Sequence, residues 1–344
     1  MRDCFFPRED EANAGLTIGR YRDAMMEAGM SQSNGQVVEE VLLDELTRGD
    51  AIIESAGPIL RHLLENNDQT IFSDEIVARV RGMVGDLARQ LLIMQAHCAG
   101  NHDPYSYADE NFSGLAEMLT GNSVLLAHAH GLALEFHLTE RIQSRNGIDP
   151  VLSPLVQALV SSSKAPTSDT AVALLASQAR FMQQQRRMEL PLTELPGDLF
   201  HSALLTLRAH ASKEMEGHAE TAEAKLRDMF DEGRGRLGLM TRLIMEMEGE
   251  AIAALSVSDA GVPLFLTALA LASGQDRLMV VLSTNDRQYA RFALSLRAAG
   301  LKSQAVDEQF AYFHPDMALP CGFAQLRDDR AAAILAGSPL GVAG

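Results

Sequence analysis

The sequence predicts an all-α protein built of antiparallel helical hairpins. Apolar residues recur at spacings of three and four along most of its 344 residues, and capping residues, glycines and prolines break the pattern at short intervals. Only Leu278 to Leu282 is strand-like, and one strand has no partner with which to form a sheet.

Residues 1–35 are glycine-scattered and read as a partly ordered arm, with a short helix around Tyr21 to Ala28. Residues 36–190 form an N-terminal helical subdomain. In it Val37, Val38, Val41, Leu42 and Leu46 mark a helix closing at Gly49-Asp50, and Ile52, Ile53, Ile59, Leu60, Leu63 and Leu64 mark the second arm of a hairpin, interrupted by Gly57-Pro58. Ser73-Asp74-Glu75 caps the clearest helix of this half, through Val77, Val80, Val84, Leu87, Leu91 and Met94 to His97. Asn101 to Asn111 reads as a loop. Helices follow over Leu115 to Arg141, broken near Gly121-Asn122, and over Leu152 to Val160; after the polar turn Ser161 to Asp169 comes another at Thr170 to Met188.

Pro191 and Pro196 lie too close together to share a helix, which puts a subdomain joint at Pro191 to Gly197. The second subdomain, 197–318, starts with a long helix from Asp198 to Met229, whose Glu223 and Arg227 at i,i+4 suggest a solvated face. Next, Met240, Leu243, Ile244, Met247, Ala251, Ala254 and Leu255 form the stripe of a helix over Leu239 to Leu255. Ser258, Asp259 and Gly261 end it, and Pro263 opens an apolar helix running to Gly274. A short piece, Gln275 to Leu282, leads to the capping types Thr284, Asn285 and Asp286 and a helix through Tyr289, Phe292, Ala293 and Leu296 to Gly300. The last helix starts at Ser303, carries Val306, Phe310 and Phe313, and stops at His314-Pro315. Leu269 and Phe292 are expected in the core, and 336–344 is expected to fray. Val41 to Asn66, Leu155 to Met182 and Leu243 to Leu269 share a helix, turn, helix form. The hairpins therefore stack either as an irregular HEAT-like helical-repeat array or as two packed bundles.

The formal charge is −17, from 46 acidic and 29 basic residues, which argues against nucleic acid or an anionic membrane as partner. Cys4, Cys98 and Cys321 lie far apart, without the spacing of a disulfide framework or zinc knuckle. The N-terminus lacks the apolar run of a signal peptide, and the longest apolar stretch, Val262 to Ser273, is short for a membrane span, so a cytoplasmic protein is expected. The 16 methionines read mainly as gap-filling core residues.

Three constellations merit weighing. Gly233-Arg234-Gly235-Arg236-Leu237-Gly238 has the glycine spacing of a dinucleotide-binding turn, but charged helix-forming residues precede it instead of a strand, so a helix end and flexible link is the expected role. His97, Cys98, His102, Asp103, His128, His130 and His137 are metal-ligand types within a short span. On a helix His128 and His130 point apart, and His130 and His137 are about 10 Å apart along the axis. His137 and Glu140 face each other, and His102-Asp103, with His62 and Asp149, parallels the ligand set of helical metal-dependent phosphohydrolases. His128 is also a candidate phosphoryl acceptor, although no lysine or arginine follows it from Ala129 to Phe136. No catalytic, cofactor-binding or metal-ligating residue is assigned, and no cofactor is implied.

Ala179-Arg180-Phe181-Met182-Gln183-Gln184-Gln185-Arg186-Arg187-Met188-Glu189-Leu190-Pro191-Leu192, Leu195-Pro196-Gly197-Asp198-Leu199-Phe200, Glu248-Gly249-Glu250 and Leu296-Arg297-Ala298-Ala299-Gly300-Leu301 resemble the bacterial helical family called domain of unknown function 2336. The resemblance spans about 150 to 315. It implies an all-helical, repeat-like bacterial protein and transfers no catalytic residue. The functional expectation is a non-catalytic scaffold or regulatory protein-interaction module. Its working surface would lie on the second half and favour a partner with a basic segment; a homo-oligomer is compatible with the sequence. The alternative is a metal-dependent hydrolase or histidine phosphotransfer protein using the His97 to His137 region.

Overall fold

The computed structural model describes residues 37–56, 58–60 and 74–340. The N-terminal arm, Gly57, His62, Leu63, Leu64, Ser73 and tail residues 341–344 lie outside the described residues. Every regular element among the described residues is helical, and the helices pack as bundles.

The backbone is helical at 37–56 and again at 58–60 (α1), with no turn at Gly49-Asp50. Gly49 is there for contact. A Cβ at that position would meet Gln288 Oε1 at 2.4 Å, and Gln288 Nε2 donates to the Gly49 carbonyl at 2.7 Å. The expected hairpin is therefore one helix across its supposed turn.

The helices α2 (Asp74–Cys98), α3 (Pro104–Thr120), α4 (Ser123–Asn146), α5 (Pro154–Val160) and α6 (Ala165–Arg186) follow. The stretch expected as a loop at Asn101 to Asn111 is helical from Pro104, because Asp103 caps it: Oδ1 accepts the Ser106 N–H at 3.0 Å, with proline in the first turn. The break at Gly121-Asn122 is present, and Asn122 caps α4 through Val124 and Leu125 N–H. α6 starts five residues before Thr170, shortening the polar turn.

Met188 then takes a left-handed φ of 59°, and the segment from Leu190 to Leu192 is bonded to α2. Asp86 Oδ2 accepts the Leu190 N–H at 2.9 Å, while Gln90 accepts the Leu192 N–H at 3.2 Å and donates to the Leu190 carbonyl at 2.8 Å. Burial pushes the Asp86 carboxyl above its ordinary pKa. A single 3-10 turn, Leu192–Glu194, lies between the two prolines.

The long helix expected from Asp198 is two helices, α7 (Gly197–His210) and α8 (Glu216–Met229), parted at Ala211, whose backbone is extended. Folding back lets Ala222 and Leu226 bury against the first-half helices. Glu223 is consequently not on a solvated face. It is buried, 2.7 Å from Arg227 and 3.5 Å from Arg208.

The helix expected over Leu239 to Leu255 breaks as well. α9 (Arg236–Glu246) ends before Glu248, at φ 50°, and a 3-10 segment, Glu248–Leu255, carries the stripe on, keeping Met247, Ala254 and Leu255 buried. That segment meets α10 (Val257–Ser273) at a bend of 106°. α10 kinks at Gly261, where φ 72° suits glycine, and stops at the left-handed Gly274. No single helix among the described residues is long and apolar enough to cross a membrane.

The strand-like run is helical: α11 (Arg277–Leu282) starts on the Asp276 side chain, which accepts from Leu278 and Met279 N–H. α12 (Tyr289–Ala298) and α13 (Ser303–Phe313) match their expected spans. A further helix, α14 (Asp328–Ala336), lies beyond the last helix the sequence predicts, and Ser338, in the stretch expected to fray, is buried.

The apolar interior has two parts. One gathers α9, α10, α12, α13 and α14 with Val38, Leu42 and Leu46 of α1; the other gathers α2, α3, α4, α7 and α8. α4 and α6 serve both. Leu138, Ile142 and Leu174 belong to the first part, and Leu132, Phe136 and Phe181 to the second. Glu135 and Gln178 fall between these groups, at the seam.

Leu269 and Phe292 are fully buried, and Phe292 meets Phe313 edge-on with centroids 4.7 Å apart. Leu269→Ala is expected to cost about 2–5 kcal/mol and Phe292→Ala about 3–5 kcal/mol in urea unfolding. A near-neutral result for either would mean that the first core is wrongly assigned.

Candidate functional site

Arg236, the first residue of α9, is fully buried at the seam and stacks on Phe181, with its guanidinium carbon 3.6 Å from the ring centroid. Its Nη1 donates to Glu135 Oε1 at 2.6 Å and to Gln178 Oε1 at 3.2 Å, and its Nε donates to Glu194 Oε2 at 3.0 Å. Arg277 of α11 forms an ion pair with Glu135 Oε2 at 3.0 Å and donates its Nε–H to Thr267 on α10 at 2.9 Å. Gln178 also reaches the Pro150 carbonyl at 3.0 Å. One guanidinium thus joins α4, α6, α9 and the 3-10 turn at Leu192–Glu194, and a second adds α10 and α11.

The two acids differ because their partners differ. Burial favours the neutral form of Glu135, but Arg236 and Arg277 outweigh it and hold its pKa below the usual value. Glu194 has Arg236 as its one close cation, and burial wins, raising its pKa. Burial likewise opposes the charge on Arg236, yet the two carboxylates raise its pKa further.

His128, the candidate phosphoryl acceptor, belongs to this assembly. Its Nε2 lies 2.8 Å from the Glu194 carbonyl, so the neutral ring donates there. Desolvation lowers its pKa to about 4, with Arg277 and Arg236 adding to the effect. A half-buried ring whose Nε2 is engaged is a structural hydrogen-bond donor, unlike the exposed nucleophile that phosphotransfer needs.

The other candidates are scattered. His130 is buried on α4, its pKa lowered to about 4 by desolvation, while His97, His102 and His137 are exposed. Asp103 caps α3, Asp149 caps a turn through the Val151 and Leu152 N–H groups, and Glu140 pairs with Arg186 at 3.5 Å. Among the described residues no three His, Cys, Asp or Glu side chains are grouped to hold a metal ion.

Beside the Arg236 cluster, sharing Glu194 with it, lies an open cleft of about 550 Å³, lined by Thr193 to Pro196 and by Glu232, Gly233, Gly235, Leu237, Gly238, Thr241 and Arg242. Its glycines permit close chain approach. A Cβ on Gly235 would lie 2.6 Å from the Thr193 carbonyl oxygen, and one on Gly238 would lie 2.4 Å from the Glu232 carbonyl oxygen. The link expected to be flexible is therefore tightly packed. A 3-10 turn, Glu232–Arg234, stands where a dinucleotide site needs a strand, and the lining of the cleft includes the acids Glu194 and Glu232. The motif signalled glycine; what it could not signal was the buried arginine between the glycines.

Arg236→Met should destabilise the protein by about 3–5 kcal/mol at neutral pH, because two buried acids lose their shared cation. In that variant Glu135 keeps Arg277, but Glu194, whose folded pKa burial already raises, loses its ion-pair partner, so it favours the folded state below its unfolded pKa and opposes it as pH rises. The deficit should narrow between about pH 7 and 4, measured by urea unfolding across pH. Gly235→Ala should cost about 1–3 kcal/mol through overpacking alone, with no such pH dependence. Comparison with family models, curated proteins and solved structures gives no match.

Proposed function

We propose that the chain is a non-catalytic helical scaffold or regulatory protein that receives a basic segment of a partner protein, acting in the bacterial cytoplasm. The cleft beside the Arg236 cluster carries this reading. Glu232, exposed and accepting the Gly197 N–H at 3.2 Å, brings a carboxylate to a groove whose walls include Leu195, Pro196 and Leu237. A lysine or arginine side chain has the matching division, an apolar stem and a cationic head. Arg242, the cation on the lining, is engaged by the Gly233 carbonyl at 2.6 Å. The protein's charge of −17 would steer a basic partner toward it over a longer range.

The geometry supports binding over catalysis because the buried acids and Arg236 are spent on one another and hold the walls together. Membership in the domain of unknown function 2336 family belongs to the same reading, supported by the all-helical fold.

Lysine- and arginine-rich peptides titrated against the intact chain should bind more weakly as salt rises from about 0.05 to 0.5 M. Glu232→Gln should weaken binding about fivefold, and Leu237→Glu should alter it without unfolding the chain. Salt-independent affinity, equal affinity for acidic peptides, or Glu232→Gln binding like the parent would overturn the reading.

A further inference from the structure

The two ends of the described chain meet on α12 around a second fully buried arginine, Arg291. Its Nη2 is 2.6 Å from Asp50 Oδ1 on α1 and 2.6 Å from Ser338 Oγ just beyond α14. The Ser338 hydroxyl in turn donates to Asp50 Oδ2 at 2.5 Å, and Arg291 Nη1 donates to Gln275 at 2.7 Å. Asp50 and Ser338 are both buried. Farther out, Arg330 of α14 grips Glu39 of α1 with two hydrogen bonds, Nε to Oε1 at 3.1 Å and Nη2 to Oε2 at 2.6 Å. That pairing lowers the Glu39 pKa and raises that of Arg330.

We propose that residues 328–340 form a clasp that keeps α1 seated, with Ser338 as its catch. Between residues 37 and 50, α1 gives the first core Val38, Leu42 and Leu46, while Val37, Val41 and Leu43 stay exposed. Its polar contacts to the C-terminal segment are Glu39 with Arg330 and Asp50 with Ser338. The site around Arg291 is matched in both directions: the serine hydroxyl accepts from the cation and donates to the anion. Remove the serine, and the buried Asp50 side chain loses a donor; add a carboxylate there, and two acidic side chains share one arginine. A buried charge deprived of its partners is relieved by local opening. The part of α1 that would open is 37–50, otherwise held by Val38, Leu42 and Leu46 and by Gln288 Nε2 on the Gly49 carbonyl, and its opening would uncover the apolar face beneath those three side chains. The inference is independent of the cleft, and what it adds is a control of access to that face.

The test is amide hydrogen exchange on the full chain, on a chain ending at Arg327, on Ser338→Asp, and on the exchanged pair Asp50→Ser with Ser338→Asp. Exchange at residues 38–50 should accelerate on the order of a hundredfold in the shortened chain and in Ser338→Asp, with α2 to α4 unchanged. The exchanged pair, which restores one carboxylate and one hydroxyl around Arg291, should recover most of the protection. The proposal is overturned if residues 38–50 stay protected in either single variant, if protection is lost equally across α2 to α4, or if the exchanged pair behaves like Ser338→Asp.

Discussion

Arg236 is the constraint around which this fold is arranged. Two apolar interiors share α4 and α6, and where each helix passes from one interior to the other it carries a polar side chain, Glu135 or Gln178. A polar layer between two hydrophobic regions is costly unless every member is bonded, and Arg236 makes that possible by reaching Glu135, Glu194 and Gln178 at once. The register between α4, α6 and α9 follows. A shift of one residue in any of them would leave a charge unpaired in the interior, a larger penalty than imperfect apolar contact. Hydrophobic side chains of similar volume would tolerate such slips, so the charged layer contributes positional specificity more than net stability.

Arg291 repeats this arrangement at the other end of the molecule. In both places one buried guanidinium collects partners from segments remote in sequence, Asp50 and Ser338 in one case and Glu135 and Glu194 in the other. The planar fork of arginine suits that task, since its donors point in several fixed directions and the group stays charged when buried. The surroundings differ. The Arg236 cluster holds elements that also share extensive apolar packing, whereas Arg291 holds α1, which meets its neighbours over a narrower stripe.

The helices were legible in the sequence wherever amphipathic period and capping residues agreed. Asn122, Gly274 and the stop at His314-Pro315 mark their boundaries by local chemistry, and local chemistry is what a sequence displays. The misreadings have a common cause in long-range contact. Gly49 looked like a terminator and is a small residue under Gln288; Glu223 looked like a surface partner and is buried by the return of α8; no glycine or proline announced the break at Ala211. The candidate site was legible only in fragments. Pro191, Pro196 and the glycines stood out, but Arg236, Glu135 and Glu194 are ordinary charged residues until the fold brings together positions 101 and 42 residues apart.

The glycine pattern at Gly233 to Gly238 shows how one spacing can serve opposed ends. In a dinucleotide turn, missing side chains let backbone N–H groups approach a pyrophosphate at a helix start, and the helix dipole favours the anion. Here the missing side chains let the chain press against the carbonyls of Thr193 and Glu232, and α9 begins beside the carboxylates of Glu194 and Glu232. The Arg236 guanidinium is answered from within the protein by Glu135 and Glu194, while the Glu232 carboxylate accepts the Gly197 N–H at the start of α7 at 3.2 Å. What the cleft still presents outward is the exposed Glu232 beside a wall that includes Leu195, Pro196 and Leu237.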